Sequence, residues 1–170
     1  MAGLSLEPQA IGQTRTMIRA LCLAAALGTA LSAAAPQPPK SPRLYVFDCG
    51  VLSITKEGVE RYHVTTAEVG ETRMSVPCFL VAHPRGTLLW DLGVIPDAVV
   101  SAQGTARSNV NPTAAAVVSR TLSSQLAQIG YRPADITYVA ISHAHIDHSA
   151  NLNQFAASTW LTNAAERRFM

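Results

Sequence analysis

The chain has 170 residues, 48% hydrophobic and 14% charged, enough apolar material for one globular domain. A formal net charge of +2, with no run of Lys/Arg and no interleaved aromatics, excludes a dedicated nucleic-acid binder. Residues 1–34 read as an export signal and not as part of the fold. In RTMIRALCLAAALGTALSAAAPQPPK the basic Arg15 and Arg19 precede an apolar core ending at Leu31, and small residues follow. A cut after Ala34 is expected, and Met17 can serve as the start of translation. The apolar run is shorter than the roughly 20 residues of a spanning helix. A cleaved leader is therefore favoured over an anchor, with a periplasmic or secreted product that has no membrane contact afterwards.

Residues 35–42 are Pro-rich and polar, a linker into the folded part. RLYVFDCGVLSI (43–54) reads as a strand with a turn or bulge at Gly50. Residues 56–73, polar and Gly-punctuated, read as a loop with at most a short strand. MSVPCFLVAHPRGTLLWDLG (74–93) reads as two strands joined by a turn at HPRG. Residues 98–112 are turn-rich. In 113–130, apolar residues Ala114, Val117, Val118, Leu122, Leu126 and Ile129 recur at three- and four-residue steps between Pro112 and Gly130, which predicts a helix. ITYVAIS (136–142) predicts a buried strand, TWLT (159–162) another, and NAAERRF (163–169) the beginning of a helix. Strands first, then helix and strand in alternation, suggest an α+β or layered α/β fold. The last helix signal spans barely one turn at Met170, so the domain is expected to be truncated at its C-terminal side.

Of three cysteines, Cys22 falls in the leader. Cys49 and Cys78 each sit in an apolar strand-like segment. An oxidising compartment permits a bridge between them, but two buried free thiols are the expected state.

Three of the five histidines fall within AISHAHIDHSANLNQF, residues 140–155. His143 and His145 follow directly on the predicted buried strand. Residues two apart in an extended segment point to the same side, so both imidazoles can converge on one metal ion. Asp147 and His148 come where the chain must turn and can offer a carboxylate and a third imidazole close by. Imidazole and carboxylate suit zinc, manganese or iron, with zinc the default for a His-rich set. His63 and His83 lie in polar or turn segments and read as surface residues. Ser142 and Ser149 lack the G-x-S-x-G context of a nucleophile.

SHAHIDHSANLN resembles the H-x-H-x-D-H signature of the metallo-β-lactamase-fold hydrolases, and FLVAHPRGTLLWDLG resembles their earlier strand pair ending in an Asp-x-Gly turn. LAQIGYRPADITYVAISHAHIDHSANLNQF, YVFDCG and VPCFLV are similar to the N-acyl-homoserine lactonase-like branch. The resemblance covers residues 43–168. It implies the N-terminal half of an αββα metallo-β-lactamase sandwich over residues 43–170. It also implies His143 and His145 as ligands of a first zinc, and Asp147 and His148 as ligands of a second. Asp91 would orient a ligand histidine; its other reading is a strand-end turn residue. The family's glycines after the motif are Ala150 and Asn151 here. A further His, a bridging Asp and a final His would complete the family's two-zinc site, and no His or Asp follows His148 in this sequence. One zinc or fewer is expected in this chain.

The implied function is a zinc-dependent hydrolase, with metal-activated water attacking an ester or lactone carbonyl of a small acyl compound and Asp147 accepting a hydrogen bond from the nucleophile. A lactonase leads. A periplasmic metallo-β-lactamase, or a truncated metal-binding remnant without catalysis, are the alternatives. Half of a two-layer sandwich leaves a sheet face uncovered, so self-association through that face is expected.

Overall fold

Alternation of apolar and polar side chains builds two long strands, β1 (Arg43–Ile54) and β2 (Arg73–His83), and the shorter β3 (Gly86–Trp90). In β2, Val76, Cys78, Leu80 and Ala82 are buried while the residues between them are not, the period-two pattern of a sheet with one packed face. The computed structural model describes residues 36–101 and 106–168, within one compact unit, Ala35–Met170. The expected leader lies outside the described residues. Residues 36–42 carry no helix or strand.

The strands β1, β2 and β3 form an antiparallel meander. The order across the seven-stranded sheet is β4-β5-β1-β2-β3-β6-β7, with β4 (Ala106–Asn111), β5 (Ala114–Val118), β6 (Tyr138–Ala140) and β7 (Thr159–Leu161). The β3–β6 and β6–β7 pairs are parallel. The β1–β2 register shifts between Asp48 and Val51, so the bulge expected at Gly50 is present. Gly50 has φ +126°, and a Cβ there would stand 2.9 Å from the Val117 carbonyl oxygen and the Val94 side chain, so glycine is required.

Four sequence expectations are corrected. Residues 113–130 are not one helix: β5 occupies Ala114–Val118 and α3 (Leu122–Gln128) follows after a break. Ala114, Ala116 and Val118 are buried alternately, and pairing with β1 and β4 overrides the helical spacing. The helix begins where Thr121 accepts from the Ser124 N–H (3.1 Å) and the Asp97 carboxylate accepts from Leu122 and Ser123 (2.9 and 2.8 Å). The turn-rich reading of 98–112 misses β4, which forms a hairpin with β5. The loop expected at 56–73 holds two short helices, α1 (Lys56–Glu60) and α2 (Thr66–Val69). Their caps are Thr55 and a Thr65/Glu68 capping box, in which the Thr65 hydroxyl and Thr65 N–H donate to the Glu68 carboxylate and hold it below its ordinary pKa.

The fourth correction concerns the cysteines. Cys49 and Cys78 are joined in a disulfide with Cα atoms 5.9 Å apart, instead of standing as free thiols. Phe47 pairs with Cys78 across β1 and β2, and the bulge begins immediately after, so the two sulfurs meet on the buried side of adjacent strands.

The core lies on that side, where Phe47, Leu80, Leu89 and Val139 of the sheet pack with Leu122 and Leu126 of α3 and with Phe155. The opposite face carries an apolar row set by register: Leu44–Val81–Leu88–Tyr138, beside Val46–Phe79–Trp90. Leu44 and Val46 are each 63% exposed and Trp90 43%. No helix among the described residues is long and apolar enough to cross a membrane.

Candidate metal centre

Parallel pairing of β3 with β6 sets Leu88 against Tyr138 and Trp90 against Ala140, so both strands end at the same edge of the sheet. The chain beyond each strand then arrives side by side. The Asp91 N–H continues the ladder by donating to the Ala140 carbonyl (2.9 Å). Chemistry at the carboxyl ends of parallel strands is the usual consequence of this topology.

Asp91 takes φ +56°, a left-handed conformation that aspartate tolerates better than most side chains. This turns its carboxylate inward, where the residue is 6% exposed. Asp91 Oδ1 accepts from the Ser142 N–H (2.8 Å) and Oδ2 from the Ser142 hydroxyl (3.1 Å). Asp91 Oδ2 also lies 2.8 Å from His148 Nδ1. A ring held at Nδ1 presents Nε2 outward, and His148 Nε2 faces Asp147 Oδ2 at 3.2 Å. Gly93 completes the turn at φ +77°, with its absent Cβ leaving room for Cys49 at 3.2 Å.

After β6, residues 141–145 are irregular, and α4 (Ile146–Ser149) begins with His145 at its N-cap. His143 Nε2 and His145 Nδ1 approach to 2.9 Å. One ligand atom from each of His143, His145 and Asp147 lies within 4.8 Å of the others. Two imidazoles and a carboxylate converging in this way are a donor set suited to zinc. The structure therefore gathers Asp147 with the two histidines as well as against His148, where the sequence reading paired it with His148 alone. The converging donors are His143, His145 and Asp147, and neither His63 nor His83 is among them; His83 instead accepts from the Arg85 N–H (3.1 Å) at the β2–β3 turn.

Ala150 and Asn151 stand in helical and bridge backbone, φ −56° and −103°, positions that need no glycine. Asn151, 4% exposed, donates to the carbonyls of Leu92 (2.8 Å) and Ile95 (3.4 Å) and accepts from the Asp97 N–H (2.7 Å). It ties the Asp91 turn to the segment after the histidines. Sequence reasoning passed over both this role and that of Ser142, because each depends on a neighbour more than 50 residues away.

Beside His145, Ile146 and Asp147 opens a groove of about 680 Å³ whose lining also includes Leu52, Val59 and Met74. Apolar side chains from β1, α1 and β2 share it with the charged Arg61 and Glu71, a mixed lining of the kind small-molecule sites use.

A family model described as the metallo-beta-lactamase superfamily matches residues 72–168. The N-acyl homoserine lactonase AttM of Agrobacterium fabrum (strain C58 / ATCC 33970) is 26% identical over 129 residues, covering 75% of this chain and 48% of the relative. AttM of Rhizobium johnstonii is 25% identical with the same coverage. The chain thus spans about half the length of the curated relatives it matches. Among solved structures, an N-acyl homoserine lactone hydrolase with N-hexanoyl-L-homoserine at its catalytic metal centre superposes with a TM-score of 0.53 at 22% identity, covering 74% of this chain and 50% of that one. AidC, a dizinc quorum-quenching lactonase, gives 0.50 at 16% identity, covering 75% and 44%. At these identities the superpositions establish the shared fold.

Proposed function

The chain belongs to the metallo-beta-lactamase superfamily, and on that footing we propose that it is a zinc-dependent hydrolase of small acyl compounds, acting first of all on lactones. The convergence of His143, His145 and Asp147 beside a His148 oriented by Asp91 carries this reading.

His143, His145, Asp147 and His148 would hold the metal, and their imidazole and carboxylate donors fit zinc. Bound zinc would supply an activated water and polarise the substrate carbonyl. The carboxylate of Asp147 would accept a hydrogen bond from the attacking water and so fix its direction. Asp91 would keep the His148 ring from turning, since its Oδ2 occupies Nδ1. The groove would receive the acyl part of the substrate against Leu52, Val59 and Met74, with the carbonyl at His145 and Asp147. These four side chains would make up part of a two-zinc set, with one zinc or fewer held by this chain. The Cys49–Cys78 bridge supports a periplasmic or secreted location, where such bonds persist.

The test is ring opening of N-hexanoyl homoserine lactone by the zinc-loaded protein, followed by acid release at constant pH. Turnover should vanish in His145→Ala and on chelation. Turnover that survives either change would remove the metal from the mechanism. A zinc-loaded protein that leaves lactone, ester and thioester intact would refute the enzymatic reading and leave a metal-binding remnant.

A further inference from the structure

The loop carrying the two leading histidines has no secondary structure of its own. Residues 141–145 lie in neither helix nor strand, so side chains must set its backbone. Three do. Asp91 accepts from the Ser142 N–H (2.8 Å). The Ser149 hydroxyl donates to the His145 carbonyl (2.8 Å). The third comes from outside the motif: Glu166 Oε2 accepts from the Ala144 N–H at 2.7 Å, across 22 residues.

That amide belongs to the residue between His143 and His145. Glu166 is itself presented by a built turn, in which Asn163 Oδ1 accepts from the N–H groups of Ala165 (2.8 Å) and Glu166 (2.9 Å). The half-buried carboxylate therefore arrives with its backbone already ordered. A short N–H to carboxylate bond is among the stronger hydrogen bonds available to a peptide group. It restrains the peptide plane on which the spacing of the two imidazoles depends.

We propose that Glu166 is a positioning residue of the metal centre, acting through the Ala144 amide to hold His143 and His145 in ligating register. The assignment rests on the metal reading given above. Glu166 lies outside the donor group and its bond is to a backbone amide, so its effect passes through the backbone.

Glu166→Ala and Glu166→Gln in the full chain test this, with Gln keeping the shape and a neutral acceptor. Two quantities are read: hydrogen exchange of the Ala144 amide by nitrogen-resolved NMR, and zinc affinity by competition with a chromogenic chelator. In Glu166→Ala the amide should exchange at least about tenfold faster and zinc affinity should fall about tenfold, the usual cost of losing an outer hydrogen-bond partner. Glu166→Gln should recover most of both. Zinc affinity equal to the parent's in Glu166→Ala, or weakened binding with the Ala144 amide still protected, overturns the assignment while leaving the metal reading intact. A parent chain that binds no zinc removes the metal reading and this assignment together.

Discussion

Asp91 Oδ2 stands 2.8 Å from His148 Nδ1 although 57 residues separate them, and the same carboxylate holds the backbone of Ser142. One buried group thus aligns both ends of the histidine segment. Asp91→Asn keeps the volume but loses the charge and one acceptor. It should weaken zinc binding by about 10- to 100-fold, measured by chelator competition, with a near-UV circular dichroism spectrum like the parent's. Unchanged affinity would make Asp91 an ordinary turn residue.

Metal content follows from the ligand count. The full chain, loaded with zinc and desalted, should carry about one ion or fewer by elemental analysis, since the described residues gather three close donors with His148 beside them. His145→Ala should bring the content to background, while His63→Ala and His83→Ala should leave it unchanged. Two tightly held ions per chain would contradict the ligand set.

The Cys49–Cys78 bridge closes a 29-residue separation inside the core. Reducing it should cost roughly 3.5 kcal/mol of stability by the loop-entropy relation, read as a lower urea midpoint. Alkylation of the denatured, unreduced protein should spare Cys49 and Cys78, as peptide masses would show. Labelling of both would restore the free-thiol reading.

Arg132 and Asp135 form a charged pair at 2.8 Å in the turn that leads into β6. The hydrogen bond from Arg132 holds the Asp135 carboxyl below its ordinary pKa. A lowered folded pKa contributes stability that is present above the unfolded value and lost as pH falls through the folded one. Asp135→Asn should therefore lower the melting temperature by a few degrees at pH 7. The difference from the parent should shrink below about pH 4 as the carboxylate protonates. A gap that stays constant down to pH 2 would exclude the ionic contribution.

The apolar row through Leu44, Val46, Trp90 and Tyr138 should drive association of the isolated chain. Sedimentation velocity at increasing concentration should show species larger than a monomer, and Val46→Lys with Trp90→Lys should reduce them. A parent that stays monomeric at every concentration would count against an adhesive face.

What could be read from the sequence was whatever its own neighbours determine. β1, β2 and β3 announce themselves because alternation and the HPRG turn are local, and the four ligand-type residues lie within six positions. The rest depended on contacts at a distance. Ala114–Val118 satisfies a helical and a strand period alike, and only its partners in β1 and β4 decide between them. The true helix start at Thr121 is sealed by Asp97, on a turn more than 20 residues upstream. The cysteines meet because adjacent strands are in register beside the Gly50 bulge. The caps at Thr55, Thr65 and Thr121 are local signals of the short helices, since each hydroxyl accepts from an amide three residues on.

The parallel partnership of β3 and β6 also bears on the order of events during folding. Leu88 and Tyr138 become neighbours only when about fifty intervening residues close into a loop, an entropic toll absent from the β2–β3 hairpin. The imidazoles at 143, 145 and 148 travel together on one stretch of chain, whereas the carboxylate at 91 reaches them only through that long closure. A cation captured before that docking step would meet freely rotating rings, so firm retention of metal and completion of the sheet should rise along the same kinetic phase.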